Sequence, residues 1–253
     1  RLRTESDLRR ALDRGELRVH YQPFWSLPGR DLAGVEALVR WQHPERGLVL
    51  PGDFVPAAEA SGLIVPIGTW VLRESFRQLA AWRREHPAAA GLRLRVNLSA
   101  RQVTEPGLVE LVAAALDEHD LEPSAVGLEI TEGLLLQDSE HVADTLRALK
   151  ALGVGLVLDD FGTGYSSLSY LKRFPIDQLK VDRSFVSGLD ERDENLALVA
   201  AIVGMAAALG LTVVPEGVET EGQLAVLTEL GCHYAQGFLL AHPLPPDAVP
   251  ALF

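Results

Sequence analysis

The sequence repeats one pattern along most of its length: a short apolar segment, a loop, and a segment with apolar residues at helical spacing. Strands that alternate with helices form a mostly parallel sheet with helices packed outside it. About eight such units in 253 residues predict one α/β domain over residues 1–253, a (β/α)8 barrel. The alternative is a doubly wound open sheet, which gathers functional groups at one switch point. The predicted strands are residues 17–21, 35–41, 92–98, 126–131, 154–158, 178–181, 212–214 and 234–240.

The charge and composition of the chain narrow its possible partners. The formal net charge is −12, which argues against binding to DNA or RNA because a nucleic-acid backbone needs a basic face. The single cysteine, Cys232, allows no disulfide within the chain, and we expect a cytoplasmic location. No apolar run reaches the roughly 18 residues of a membrane span. The only methionine, Met205, is internal, which favours a piece of a longer signalling protein with regulatory domains upstream.

Two adjacent carboxylates, Asp159 and Asp160, directly follow the apolar segment 154–158, and a glycine-rich turn comes after them. Carboxylates at the end of a buried strand lose their hydration, and this costs free energy unless something neutralises them. Divalent cations do so, because they bind oxygen ligands. Acids at the C-terminal ends of strands also build the active sites of barrel enzymes. The pair therefore predicts a metal site.

Polar residues stand near the ends of the other predicted strands as well. None is histidine or cysteine, and oxygen ligands favour Mg²⁺ or Mn²⁺ over zinc. Adjacent aspartates allow one carboxylate to bridge two metals, and such metal pairs activate water for attack on a phosphoryl group. Lys180 is either an ion-pair partner of these acids or a group that orients the attacking water. The strand-end residues are Glu36, Asn97, Glu129, Asp159, Asp160, Lys180, Glu216 and Gln236.

An ordered set of motifs over nearly the whole chain resembles the EAL-domain cyclic di-GMP phosphodiesterases. Any one motif occurs by chance in many proteins, but the set in this order is specific. The motifs are Tyr21-Gln22-Pro23, Glu36-Ala37-Leu38-Val39-Arg40-Trp41, Ala58-Glu59-Ala60-Ser61-Gly62-Leu63-Ile64, Val96-Asn97-Leu98-Ser99, Glu129-Ile130-Thr131-Glu132, the run from Asp159 to Ser167, Lys180-Val181-Asp182-Arg183-Ser184-Phe185, Glu216-Gly217-Val218-Glu219-Thr220 and Gln236-Gly237-Phe238.

The resemblance implies a modified TIM barrel whose first strand is antiparallel to the rest, and hydrolysis of cyclic di-GMP to linear pGpG with two Mg²⁺ or Mn²⁺ ions. It also implies a homodimer, for which the alanine-rich helix 195–209 is a candidate contact face. The implied metal ligands are Glu36, Asn97, Glu129, Asp159, Asp160 and Glu216. The implied catalytic residues are Lys180, Glu216 and Glu132, of which Glu132 anchors the loop 159–167. The implied substrate contacts are Gln22, Leu38, Arg40, Asp182, Glu219 and Gln236.

Two residues depart from the pattern of this family. Pro215 precedes Glu216 where a small residue is usual, and a proline at a strand end stiffens the backbone that aims Glu216. His242 stands where arginine is common. A receptor that binds cyclic di-GMP without turnover is the alternative function, and an interaction scaffold is a third. The intact set of implied ligands favours the enzyme over both.

Overall fold

The computed structural model of the chain describes residues 2–135, 140–162, 168–189 and 193–253, and the side chains of residues 2–4, 168–170 and 193 lie outside that description. Within these ranges the strands are β1 (Leu17–Ser26), β2 (Leu32–His43), β3 (Gly47–Val49), β4 (Arg93–Asn97), β5 (Val126–Thr131), β6 (Gly155–Phe161), β7 (Gln178–Val181), β8 (Thr212–Pro215) and β9 (Tyr234–Ala235). The helices are α1 (Leu2–Asp13), α2 (Val55–Ser61), α3 (Ile64–Glu85), α4 (Ala100–Thr104), α5 (Leu108–Glu118), α6 (Glu132–Leu135), α7 (Glu140–Ala151), α8 (Leu168–Arg173), α9 (Arg183–Val186), α10 (Asp193–Ala208) and α11 (Glu221–Glu229).

The strands form one sheet that nearly closes into a barrel. Their order is β8-β7-β6-β5-β4-β2-β1-β9, and neighbours from β2 to β8 are parallel. β1 is antiparallel to β2, with Gln22 opposite Glu36. Two backbone bonds join the outer strands, from the Gln236 N–H to the Pro215 oxygen at 3.0 Å and from the Val218 N–H to the Gln236 oxygen at 3.1 Å. The predicted barrel with an antiparallel first strand is confirmed, and the open sheet is wrong.

Helices cover the outside of the barrel through apolar faces at helical spacing. The long helix α3 buries Leu72, Phe76, Leu79 and Trp82. The Trp82 ring meets the Tyr21 ring of β1 edge to face, with centroids 4.7 Å apart. Full burial of a side chain of this size stabilises a fold by roughly 2 kcal/mol. The packing of α3 on the barrel therefore contributes a large part of the stability of the fold. Among the helices in the described ranges, none combines the length and apolar character that crossing a lipid bilayer requires.

Two strands differ from the sequence prediction. β3 was not expected, and it forms because β2 continues to His43 and turns back on itself. The last strand was predicted over residues 234–240 but ends at Ala235. A side chain at Gly237 would place its Cβ 2.2 Å from the backbone nitrogen and oxygen of Val218. The two backbones therefore touch at this glycine, and the chain turns there instead of continuing as a strand.

Candidate active site

Four carboxylates from four strands surround one lysine inside the C-terminal end of the barrel. Lys180 of β7 is 1% exposed. Its Nζ atom lies 2.7 Å from Glu216 Oε1 and 2.8 Å from Glu129 Oε2. It also lies 3.1 Å from Glu36 Oε2 and 3.3 Å from Asp159 Oδ1. We call these four acids around Lys180 the acid cluster. Lys180 has one positive charge and three N–H bonds, so it can neither balance nor bond fully to four carboxylates.

The acid cluster shifts the titration of its members in opposite directions. Burial alone would lower the pKa of Lys180, but the surrounding carboxylates raise it well above its usual value. Burial and the neighbouring Glu36 raise the pKa of Glu129 well above its usual value. Burial also raises the pKa of Glu216 to about 7, with Lys180 opposing that shift. Glu36 differs, because Lys180 and two amide groups outweigh burial and lower its pKa to about 2.

Glu36 is held by amides at the ends of β4 and β9. Asn97 Nδ2, at the end of β4, donates to Glu36 Oε1 at 2.9 Å. Gln236 Nε2, directly after β9, donates to Glu36 Oε2 at 2.7 Å. Both contacts follow from the sheet order, which places β2 beside β4 and near the closing strand. Glu36 is therefore held in place through both of its oxygens, and its lowered pKa keeps it a carboxylate.

A second group of oxygens lies at the upper rim of the cluster. One carboxylate oxygen from each of Asp159, Asp160 and Glu216 lies within 4.8 Å of the other two. Asp160 has a left-handed backbone with φ of 55°, and its N–H donates to Asp159 Oδ1 at 2.9 Å. Aspartate tolerates this conformation better than most residues. The hard oxygen donors and the surplus negative charge fit divalent cations such as Mg²⁺ or Mn²⁺.

Glu132 begins α6 beside the end of β6. It is 4% exposed, and its Oε2 accepts a bond from the Gly162 N–H at 3.3 Å. This contact holds the first residue of the glycine-rich turn. The rest of the predicted loop, residues 163–167, lies outside the described residues. The anchoring role of Glu132 over the whole loop therefore stays a prediction.

The predicted substrate contacts divide between two hollows. One of about 310 Å³ beside the cluster contains Gln22, Asp182, Glu219 and Gln236 in its lining. The other, of about 410 Å³, is mostly apolar and contains Leu38 next to Glu36 and Asn97. Arg40 is in the lining of neither. Its Nη1 donates to the Val39 oxygen at 2.9 Å. Asp182 also caps α9, because its Oδ1 accepts from the Ser184 N–H at 2.9 Å.

The two departures from the family pattern leave the cluster assembled. The Glu216 N–H still donates to the Val181 oxygen at 3.0 Å, so Pro215 interrupts no bond between β7 and the residue that follows β8. His242 stacks on Phe238, with ring centroids 4.2 Å apart. Phe238 is 54% exposed and lines the smaller hollow. The sequence analysis gave Phe238 no role, although an aromatic residue next to Gln236-Gly237 was a usable signal.

Sequence reasoning also missed Arg95, which lies inside the barrel two residues before Asn97. It is 3% exposed, and its Nε lies 3.9 Å from Glu129 Oε1. The alternation of residues 92–98 predicts a strand with one buried and one solvent-exposed face, and arginines are common on an exposed face. Inside a barrel that face is enclosed as well.

The fold and the acid cluster define a barrel of the EAL type. Residues 5–243 match the EAL domain, and the chain belongs to this family. It is 49% identical over 241 residues to the bifunctional diguanylate cyclase/cyclic di-GMP phosphodiesterase MucR of Pseudomonas aeruginosa, covering 95% of this chain and 35% of MucR. It is 44% identical over 244 residues to the cyclic di-GMP phosphodiesterase PdeR of Escherichia coli, covering 96% of this chain and 36% of PdeR. The chain thus spans about a third of the length of these relatives.

Solved structures give the same assignment. A structure described as PaMucR phosphodiesterase in complex with c-di-GMP matches with a TM-score of 0.92 and 48% identity, over 98% of this chain and 99% of that one. The EAL domain of FimX from Pseudomonas aeruginosa, bound to c-di-GMP, matches with a TM-score of 0.86 and 27% identity, over 95% and 96% of the two chains.

Proposed function

We propose that this chain is a metal-dependent phosphodiesterase that hydrolyses cyclic di-GMP to linear pGpG. The observation that carries the proposal is the surplus of carboxylates around Lys180. One oxygen of Asp160 also lies within 4.8 Å of an oxygen of Asp159 and an oxygen of Glu216. An unbalanced acidic site next to an open hollow destabilises a fold unless a ligand uses it. The similarity to MucR and PdeR supports the choice of cyclic di-GMP as substrate.

Two groups of residues would hold the metals. Glu36, Asn97, Glu129 and Asp159 would hold one ion, and Asp159, Asp160 and Glu216 would hold the other, so Asp159 would serve both. When bound, paired divalent ions supply positive charge that activates water and stabilises the phosphoryl oxygens. Divalent cations would also remove the surplus negative charge that the acid cluster has around Lys180.

The chain's own residues then prepare the reaction. Lys180 Nζ lies among the ligands, where its N–H groups orient the attacking water. Glu216, whose pKa is raised to about 7 by burial, is placed to accept the proton of that water. The water oxygen bonds to phosphorus and one P–O bond of the ring breaks. The oxygen that leaves takes up a proton from solvent and becomes a hydroxyl, so the cyclic dinucleotide opens. Gln22, Leu38, Arg40, Asp182, Glu219 and Gln236 would contact or support the dinucleotide.

The test is incubation with cyclic di-GMP and Mg²⁺ or Mn²⁺, followed by chromatography for pGpG. We expect product with either metal and none with a chelator. Glu36→Ala and Asp159→Asn should each lower turnover by roughly 100-fold or more while circular dichroism stays unchanged, because each removes a ligand near the developing charge. Ligand binding without any product in the unmodified chain would favour the receptor function. Full activity in either variant would contradict the ligand assignment.

We propose a homodimer in the cytoplasm as the working form. The helix α10 is apolar on nearly all sides, and its Leu198 is 45% exposed. Exposed apolar surface of this kind is commonly covered by a partner. Sedimentation should give a dimer that Leu198→Glu weakens, whereas a monomer at all concentrations would contradict this state.

A further inference from the structure

A second buried cation, Arg95, lies on the inner face of β4 below the acid cluster. It pairs in register with Gly127, two residues before Glu129 on the neighbouring strand. Its guanidinium lies 3.8 Å from the centroid of the Phe24 ring, and its Nη2 donates to Gln178 Oε1 at 2.7 Å. We call the layer of Phe24, Arg93, Arg95, Gln178 and Tyr234 at the N-terminal end of the strands the barrel floor. Arg95 is the group of this floor that reaches the acids above.

The two oxygens of Glu129 have different surroundings. Oε2 accepts a bond from Lys180 at 2.8 Å, within the acid cluster. Oε1 is buried and has no hydrogen-bond partner among the described residues, and Arg95 Nε lies 3.9 Å from it. That distance is too long for a hydrogen bond. It is short for a buried guanidinium and a carboxylate in its ionised form, whose attraction water screens little.

The barrel floor holds Arg95 in one place. The Phe24 ring supports the guanidinium by a cation–π contact, which is stronger when the cation is desolvated. The Phe24 ring occupies space that a side chain on the opposite residue of β2 would fill. That residue is Gly34, and a Cβ there would lie 2.4 Å from Phe24 Cζ. Gln178 fixes the other side. Arg95 is therefore a preorganised charge and not a mobile one.

We propose that Arg95 is a positioning residue of the metal site. It attracts Oε1 of Glu129 toward the barrel floor, so that Oε2 stays directed at the acid cluster where a metal would bind. This role rests on the proposed metal-dependent function. Outer groups that orient a metal ligand commonly contribute 10- to 100-fold to metal affinity.

The experiment is calorimetric titration of the metal-free chain with Mn²⁺ alone, at one pH and ionic strength. We expect Arg95→Met to raise the dissociation constant by roughly 10-fold or more. Arg95→Lys keeps the charge and should restore most of the affinity. The matched control is Arg93→Met, because Arg93 lies on the same strand with the same charge but is exposed and donates to the Tyr234 hydroxyl at 2.8 Å. This control should bind Mn²⁺ within about twofold of the unmodified chain.

If Arg95→Met does not fold, Phe24→Leu provides the second test, because it removes the ring and leaves the arginine. We expect a smaller rise of the dissociation constant in the same direction. Unchanged or tighter Mn²⁺ binding in a folded Arg95→Met variant would overturn the role of Arg95, while pGpG production by the unmodified chain would leave the proposed function intact. An unmodified chain that binds no Mn²⁺ would overturn both.

Discussion

The two ends of the barrel hold buried charge in opposite ways. At the C-terminal end, the four carboxylates of the acid cluster share Lys180, so negative charge is in excess. On the barrel floor, Arg95 lies on the Phe24 ring and donates to a neutral amide, and Arg93 donates to the Tyr234 hydroxyl. These contacts are to uncharged groups, although Arg95 also lies 3.9 Å from Glu129 Oε1 of the acid cluster.

This difference in charge distinguishes the acid cluster, which is the candidate binding site, from the barrel floor, which supports it. A floor whose arginines bond to uncharged groups has no excess of negative charge for a metal ion to neutralise. An acid cluster with unbalanced charge is stable only as far as the rest of the fold permits, and it gains when cations bind. Metal should therefore stabilise the fold through the acid cluster and act on the floor through Arg95.

The largest effect is expected from Lys180→Met, which removes the cation shared by the acid cluster. Breaking a buried ion pair in this way costs roughly 3–5 kcal/mol, because the carboxylates stay buried without a partner. We expect that loss in urea unfolding of the metal-free protein, and partial recovery when Mn²⁺ is added. An unchanged unfolding free energy would show that the four buried carboxylates do not destabilise the fold when Lys180 is absent.

The unfolding free energy of the unmodified protein should also depend on pH, because the buried carboxylates of the acid cluster destabilise the fold when they ionise. The folded pKa of Glu216 is raised to about 7 from a usual value of 4.5, so its contribution to stability is fully present below pH 4.5 and is lost as pH rises through about 7. The metal-free unfolding free energy should fall over this window by on the order of 3 kcal/mol. Glu129, whose pKa is also raised, acts in the same direction.

Urea unfolding at several pH values between 4.5 and 7.5 measures this slope. Glu216→Gln should reduce the slope without abolishing it, since the raised pKa of Glu129 acts in the same direction. Saturating Mn²⁺ should flatten it, because a bound cation favours the ionised carboxylate. A slope that is identical in Glu216→Gln would contradict the assignment.

A smaller effect is expected from backbone strain at the rim of the acid cluster. Asp160 has a φ of 55°, which glycine adopts freely and alanine does not. Asp160→Ala should therefore be about 1–2 kcal/mol less stable than Asp160→Gly, and both variants lose the same carboxylate. Thermal unfolding of the pair isolates the strain from the charge. Equal stability of the two variants would show that the turn relaxes.

The smallest effect belongs to the barrel floor. Tyr234→Phe removes the hydroxyl that accepts the 2.8 Å bond from Arg93 Nη1. We expect a loss of about 1 kcal/mol or less, because Arg93 is exposed and water replaces the partner. Mn²⁺ affinity should stay the same. A change in that affinity would mean that the two ends of the barrel are coupled through more than Arg95.

The sequence predicted the fold and the position of the cluster residues at the strand ends, for a local reason. Acids and amides that follow apolar segments lie at one edge of a parallel sheet, so Asn97, Glu129 and Asp159 were found without knowledge of their distances. The prediction failed where contacts are distant in sequence. The strand after Tyr234 was predicted too long, because its limit is the backbone contact between Gly237 and Val218.

The sequence by itself determined which residues the barrel offers at its mouth, since strand periodicity assigns every second side chain to the interior. Only the tertiary structure decided how these charges pair. Lys180 contacts Glu36 across 144 residues of sequence, and Arg95 donates to Gln178 across 83. Pairing depends on sheet order and on burial, and neither can be computed from one strand. Alternation along the strand predicts that Arg95 lies on a solvent-exposed face. In the structure Arg95 is a buried charge beneath Glu129, because closure of the barrel encloses that face.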